Sequence, residues 1–492
     1  MGKNLQLSSI HIVLWGIIAV VMVRILLVFV MGLMPQDAYY FFYSENLDWS
    51  FFDHPPMVAL MLKFFTTILG ENAIAIKSAN FIITCGTVYI FYLLARQFLS
   101  GFQLEHSIFL ILSTMFISIL SLVSTPDVPL MFFWTLSLLM IFRAVESGNT
   151  RYWIFSGIAM GLAFDSKYTA IVLVVGFTGF LLFSNSKRKY LFNYRFLLSI
   201  LFFFITIIPV IYWNIQNDWL SFKFQSSQRA DDINFLSPSL KLFAGNIGTQ
   251  IFLLLPVLFI ILFGVLSGIK SGIWKNIKTL SISTQFLLWF SVPILAGFML
   301  ISLFYWVKMN WMMPGYIAAI ILTAKYMPHK WLRYQIYTSV IFHFAFLIQV
   351  VYYPFSVKSD DTWWGWNRLG DKVSELAEKH PGRFIFSADG YKTSAQLNFQ
   401  LDQKVYSTNV LGENGLQFSI VDPDLSHLQG EDALFIDSRT RFSTLGKEKD
   451  ANPDLYNFFE HVEQIDPIIL YNDSGEAERK FLVYLLEGYN PR

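Results

Sequence analysis

Residues 10–33, IHIVLWGIIAVVMVRILLVFVMGL, form an apolar run broken by one charge, Arg24, and pass without a gap into residues 34–57, MPQDAYYFFYSENLDWSFFDHPPM. At 1.5 Å per helical residue such a run extends about 36 Å, more than the roughly 30 Å of hydrocarbon in a bilayer. It is too long for a signal-peptide core and has no small-residue cleavage site, so a retained first transmembrane helix is expected. The segment that follows mixes carboxylates with aromatic rings, which suits a structured stretch at the lipid–water boundary better than a free loop.

Ten further runs approach the same length, at 78–95, 106–123, 128–142, 153–164, 169–184, 196–213, 248–269, 284–306, 312–324 and 335–355. The expectation is an α-helical polytopic membrane protein with about eleven transmembrane helices, 153–164 and 312–324 being the shortest. Composition agrees. A chain of 492 residues that is 54% hydrophobic, 18% aromatic and 14% charged carries more apolar surface than a soluble core can bury, and the surplus must face lipid. The single Cys85 excludes a disulfide framework and a thiolate metal site, and its apolar surroundings predict a buried thiol.

Charge placement orients the spans. With the N-terminus in the cytoplasm, the inward segments hold 14 basic and 2 acidic residues, whereas the outward loops hold 10 acidic and 7 basic ones. An odd number of spans then puts the tail, 356–492, outside the cytoplasm. The tail has 23 Asp/Glu and 14 Lys/Arg and reads as a soluble α/β domain distinct from the membrane domain of 1–355. Helices are expected at 371–379 and 393–400 and strands at 383–387 and 433–437. A hairpin should join 468–471 to 481–486 through Asn472-Asp473-Ser474-Gly475. No Gly-rich nucleotide loop is present and the basic clusters are those that set topology, which argues against a nucleic-acid partner.

The candidate chemistry lies in the outward loops. The first, 34–77, carries Asp37 and Tyr40 directly after the first span, then Asp53-His54-Pro55-Pro56. A carboxylate at an apolar edge can serve as a general base because partial desolvation raises its pKa; the alternative is that Asp37 caps the short helix that follows. Asp53 equally fits the start of a proline turn. Asp127, before Val128-Pro129, is either functional or a helix cap, and Lys167-Tyr168 is either a phosphate contact or a snorkelling lysine with its neighbour. Trp213-Asn214, Gln225 and Asn310-Trp311 combine rings with amides, as sugar sites do, and also suit interface anchors. Arg24, deep in the first span, implies a polar partner that the sequence does not name.

Taken in order, Asp37-Ala38-Tyr39-Tyr40, Asp53-His54-Pro55-Pro56-Met57, Thr125-Pro126-Asp127-Val128-Pro129-Leu130, Ser166-Lys167-Tyr168-Thr169, Trp213-Asn214 with Ser221-Phe222-Lys223-Phe224-Gln225, and Asn310-Trp311 resemble the bacterial branch of the dolichyl-phosphate-mannose protein mannosyltransferase-like family. These are multi-span glycosyltransferases of the C type, related to enzymes that transfer aminoarabinose or galacturonic acid to lipid A. The resemblance implies a C-type glycosyltransferase fold and a polyprenyl-phosphate-linked sugar donor of the undecaprenyl kind. It further implies a lipid, glycan or protein acceptor in contact with membrane lipid, and inversion at the anomeric carbon. Asp37 matches the family's first-loop aspartate, the acid or base site. Asp127 matches a second aspartate near the carrier phosphate, and the two together would hold Mg²⁺ or Mn²⁺ if a divalent cation takes part. Asp53-His54 stands where relatives have Glu-Lys, so His54 would replace a phosphate-binding lysine. Histidine is cationic only below about pH 6.5, which shifts weight to Lys167 or to a metal. Ala38 stands where the family usually has a second acid. A lipid-carrier flippase or transporter, or a non-catalytic scaffold of a glycan assembly complex, are the competing classes. A transporter should show mid-span charges and interrupted helices in repeated halves.

Overall fold

The computed structural model describes residues 2–231, 237–269, 271–275, 280–448 and 453–491, with the backbone alone for 2–10, 227–231 and 453. Asp232, Lys270 and Lys278 of the charge count therefore lie outside the described residues, as do Lys449, Asp450 and Arg492 of the tail and the side chains of Lys3, Arg229 and Asp231.

The membrane domain consists of α1 (Gly2–Val30), α2 (Pro35–Glu45), α3 (Met57–Leu69), α4 (Ala73–Ala95), α5 (Gly101–Leu112), α6 (Met115–Leu122), α7 (Asp127–Ser147), α8 (Thr150–Phe164), α9 (Ile171–Phe183), α10 (Tyr194–Gln216), α11 (Leu220–Asp231), α12 (Leu240–Leu254), α13 (Pro256–Leu266), α14 (Ile282–Trp289), α15 (Val292–Ile301), α16 (Met313–Tyr326) and α17 (His329–Tyr352). Every expected run falls on one of these helices or on a consecutive pair. Among the described residues, six helical stretches are long and apolar enough to cross a membrane, and eight if each of two bent pairs is one span. The helices α8, α9 and α16, of 15, 13 and 14 residues, fall below that length, so eleven full spans are not established. Apolar side chains crowd the outside of the bundle: Met22, Phe29, Val175, Phe204 and Ile341 are each more than half exposed, a surface that only lipid would cover.

Two spans read from sequence as continuous are broken. Helices α5 and α6 meet at 54°, where the hydroxyls of Ser113 and Thr114 donate back to the carbonyls of Leu110 and Ile111. Arg24 fills this break. Its guanidinium donates to the carbonyls of Leu112 and Thr114 at 2.6 and 2.8 Å and to Ser118 Oγ at 2.8 Å, with His343 Nε2 at 3.3 Å. The partner missing from the sequence reading is thus a set of helix-end carbonyls, which attract a cation. The run 248–269 is broken more sharply, α12 and α13 meeting at 110° around Leu255, which adopts φ +65° just before Pro256. Gln335 supplies what this break lacks: Nε2 donates to Leu254 O at 3.0 Å and Oε1 accepts from Leu258 N at 2.9 Å. Cys85 departs from expectation. It is exposed, because it lies on the outer face of α4 and not the face packed on α7.

The tail forms the α/β domain expected: α18 (Trp366–Lys379), β1 (Phe384–Phe386), α19 (Lys392–Gln400), β2 (Val405–Tyr406), α20 (Gln417–Val421), β3 (Ala433–Arg439), β4 (Phe459–Tyr471) and β5 (Ala477–Tyr489). The sheet order is β2-β1-β3-β5-β4, with β1 parallel to β2 and β3 and the hairpin β4–β5 antiparallel at the edge. Alternation along the strands gives two apolar layers, Ile385, Leu434, Ile436 and Val483 against α18 on one face and Phe386, Phe435, Leu482 and Tyr484 on the other. The domain does not hang free. Tyr391 stacks on Tyr39 with centroids 4.3 Å apart, Phe418 on Phe42 at 4.3 Å, and Phe399 meets Phe41 edge-on at 5.2 Å. Helix α2 is thus held between membrane bundle and tail.

Candidate functional site

The site starts from α2. Pro35 occupies its first turn, and Asp37 reaches back so that Oδ2 accepts the Met34 N–H at 2.8 Å, the cap that was the plain alternative for this residue. The same carboxylate has two more partners. Lys77 Nζ, on the second turn of α4, lies 2.5 Å from Oδ2, and the Ser124 N–H donates to Oδ1 at 2.6 Å. Lys77 also donates to Leu122 O at 2.6 Å, and both side chains are fully buried. Asp37 therefore ties α2, α4 and the turn before α7 together, with both oxygens engaged.

Three residues beyond Ser124, Asp127 opens α7. Lys167 reaches both of its oxygens at 2.9 and 3.0 Å, and Asn310 Nδ2 donates to Oδ2. Lys167 is 7% exposed, so it is paired and not snorkelling. Lys167 and Asn310, from different parts of the chain, thus meet at the Asp127 carboxylate.

The remaining polar residues bind the segment 46–56 from all sides. Trp213 Nε1 donates to Asp48 Oδ2 at 2.6 Å, Tyr168 Oη lies 3.0 Å from Ser50 Oγ, Ser221 Oγ donates to Phe51 O at 2.7 Å, and Gln225 Nε2 to Asp53 O at 2.5 Å. The Met57 N–H donates to Asp165 O at 3.1 Å, joining this segment to the turn that carries Lys167. Within it the Asp53 carboxylate accepts from Tyr43 Oη and lies 3.8 Å from His54 Nε2; both side chains are only partly buried, unlike Asp37. Tyr40 packs beside His54, ring centroids 6.1 Å apart, and its hydroxyl feels the charges of Asp53 and Asp127. Burial, then the nearby Asp53 charge, pushes the hydroxyls of Tyr39, Tyr40 and Tyr43 well above their ordinary pKa, so they stay protonated as donors.

The sequence-named residues thus separate into two groups. Asp53, His54, Tyr40, Asp127, Lys167 and Asn310 line one region at one end of the bundle. Trp213 and Asn214 are buried, Asn214 donating to Val210 O at 3.0 Å, and the partly buried Trp311 packs against Phe298 and Tyr305. Lys77, Tyr39 and Tyr43 were not singled out from sequence, although the lysine's place soon after the helix-capping Asn72 put it near the start of α4. A hard cation does not fit between Asp37 and Asp127, since each carboxylate already faces a lysine ammonium at contact distance. One acid stands apart: Asp165, at the end of α8, is buried, its Oδ1 finds no hydrogen-bond partner among the described residues, and burial pushes its carboxyl up to about 8.

Residues 53–213 fit the sequence profile described as dolichyl-phosphate-mannose-protein mannosyltransferase. The lipid A galacturonosyltransferase RgtD of Rhizobium johnstonii is 24% identical over 303 residues, which is 60% of this chain and 61% of that protein, so the match spans about three-fifths of the relative's length. The crystal structure of ArnT from Cupriavidus metallidurans in the apo state superposes with a TM-score of 0.62 at 12% identity, over 97% of this chain and 98% of that one. The same protein bound to undecaprenyl phosphate gives 0.60 at 13% identity over 96% and 97%. Residues 53–213 are therefore similar to the dolichyl-phosphate-mannose-protein mannosyltransferase family, and over nearly its full length the chain has the fold of ArnT.

Proposed function

We propose that the chain transfers a sugar from a polyprenyl-phosphate carrier to a lipid, glycan or protein acceptor at the periplasmic face of the bacterial inner membrane, with the N-terminus cytoplasmic and the tail periplasmic. The observation that carries this reading is the convergence of Asp53-His54, Asp127, Lys167 and Asn310, from four separate stretches of chain, at one end of the bundle. Support comes from a lipid A transferase among the relatives and from undecaprenyl phosphate bound by a protein of the same fold.

The residues suggest a division of labour. An ammonium has three donors, and Lys167 directs two contacts at Asp127, so a carrier phosphate oxygen can take the third. Asp37, fully engaged and buried, is a poor proton acceptor. Asp53, partly open and held by Tyr43, takes that role: the acceptor hydroxyl oxygen bonds to the anomeric carbon as its proton passes to the Asp53 carboxylate. The bond from that carbon to the phosphate oxygen breaks, and the phosphate leaves with the electron pair, inverting the centre. Lys167 and His54 offset the leaving charge.

Mass spectrometry of lipid, glycan and protein fractions from cells with and without the gene tests the reading. One missing pentose- or hexose-sized increment supports it. A lipid-carrier flippase is the second reading; the two broken spans bend by unlike angles, 54° and 110°, and do not supply the repeated halves expected of it. That reading predicts unchanged glycoconjugates with carrier lipid redistributed across the bilayer.

A further inference from the structure

One side chain of the tail is inserted into the membrane domain beside Asp53. Gln417 opens α20 and is 2% exposed. Its Oε1 accepts the Phe52 N–H at 2.9 Å, and its own backbone N–H donates to Tyr39 Oη at 3.3 Å. Tyr39 Oη lies 3.1 Å from Tyr43 Oη, and Tyr43 donates to the Asp53 carboxylate. A phenol has a single proton, so with Tyr43 committed to Asp53 it is Tyr39 that donates to Tyr43. The chain of donors runs from the tail backbone through two tyrosines to the carboxylate, while the Gln417 amide oxygen holds the Phe51–Phe52 peptide, one residue before Asp53.

The backbone bears the cost of this placement. Leu416, just before Gln417, adopts φ +55° and ψ −124°, a region that side chains with a Cβ rarely occupy and that costs on the order of 1–3 kcal/mol. Such a conformation persists where surrounding contacts impose it. Here those are Leu416 N to Asn414 Oδ1 and Gly415 N to Ser419 Oγ, both 2.8 Å, with the Phe418 ring stacked on Phe42.

We propose that Gln417 is a positioning residue of the tail that sets the orientation of Asp53 and His54, so that the site of the membrane domain is complete only with the tail docked. The role rests on the function proposed above. The test uses the full-length protein in nanodiscs, with hydrogen exchange followed across 46–57, undecaprenyl phosphate as binding probe, and restoration of the glycoconjugate increment in cells lacking the gene. Gln417→Met keeps the length and removes the acceptor; Gln417→Glu keeps an acceptor oxygen; Tyr39→Phe removes one hydroxyl with little change in shape. A net hydrogen bond of about 1 kcal/mol sets the expected scale. For Gln417→Met, exchange across 46–57 should quicken about fivefold or more while peptides of α16 and the tail sheet stay as they were. The probe should still bind within about twofold, and the increment should fall about fivefold or more. Gln417→Glu should recover both, and Tyr39→Phe should lower the increment with probe binding kept. Unchanged exchange in Gln417→Met, or a full increment in either Gln417→Met or Tyr39→Phe, overturns the proposal; Tyr39→Phe decides if Gln417→Met fails to fold. A wild-type chain that neither binds the probe nor changes any glycoconjugate refutes the transferase reading, and the exchange data still decide whether Gln417 holds the loop.

Discussion

Removing Lys77 is expected to cost more than any substitution on the surface of the bundle, and the structure sets its size. Lys77 and Asp37 are fully buried 2.5 Å apart, and the carboxylate also accepts the N–H groups of Met34 and Ser124. Taking one partner from a buried ion pair leaves the other charge uncompensated, at about 3–5 kcal/mol, whereas replacing both by apolar groups costs far less. Lys77→Met should therefore destabilise by about 3–5 kcal/mol, and Asp37→Ala by at least as much because two backbone donors are also orphaned. Combining Asp37→Ala with Lys77→Met should cost at least about 2 kcal/mol less than the two singles added together, the mark of direct coupling. Unfolding of purified protein in a mild detergent, followed by tryptophan fluorescence, measures each corner of this double-mutant cycle. Single variants within about 0.5 kcal/mol of wild type, or strict additivity, would refute the reasoning and return Asp37 to the role of an open proton acceptor. Loss of activity in Asp37→Ala alone, by contrast, separates nothing, because the three-way joint of α2, α4 and the α7 turn is lost with it.

Three other expectations follow from single sites. The Asp165 carboxyl, raised by burial to about 8, contributes stability that is complete below its unfolded value near 3.8 and is lost as pH rises through 8; Tm of the wild type should therefore fall between pH 5 and 9, and that of Asp165→Asn should stay nearly flat. Arg24→Leu strips the carbonyls of Leu112 and Thr114 of their donor at the α5–α6 break and should cost about 2–4 kcal/mol in the same unfolding assay; a neutral effect would mean that the break holds without it. Gly157 packs α8 on α10 so closely that a Cβ would lie 2.2 Å from Ser199 O, and Gly157→Ala should destabilise by about 1–3 kcal/mol, where the same change at the open Gly245 should not.

Much of the architecture could be read from residues alone, and the exceptions have physical causes. Hydropathy located the long helical stretches because lipid exposure demands long apolar runs, and the composition change after 355 marked the tail, whereas the shorter α3 and α11 fell outside the runs it picked out. The hairpin through Asn472–Gly475 was legible because its turn residues and alternating strands are local signals. Breaks at Ser113-Thr114 and Leu255 were not, since the groups that permit them, Arg24 and Gln335, come from distant helices. The two-residue strand β2 has too little sequence to carry a pattern. In the site, outward acids and Lys167 stood out by type and order, but which carboxylate is open and which is locked depends on partners 40 to 90 residues away, such as Lys77 and Ser124 for Asp37. Gln417 gave no signal at all: an ordinary glutamine becomes informative only when the fold sets it against Phe52.

Binding of undecaprenyl phosphate to the purified full-length chain tests the central claim most directly. The wild type should bind it, and the double change Asp127→Asn with Lys167→Met, which removes both charges together and leaves neither unpaired, should weaken binding about tenfold or more while the protein still unfolds cooperatively. Equal binding by both proteins, or none by the wild type, would contradict a carrier-phosphate site at Lys167.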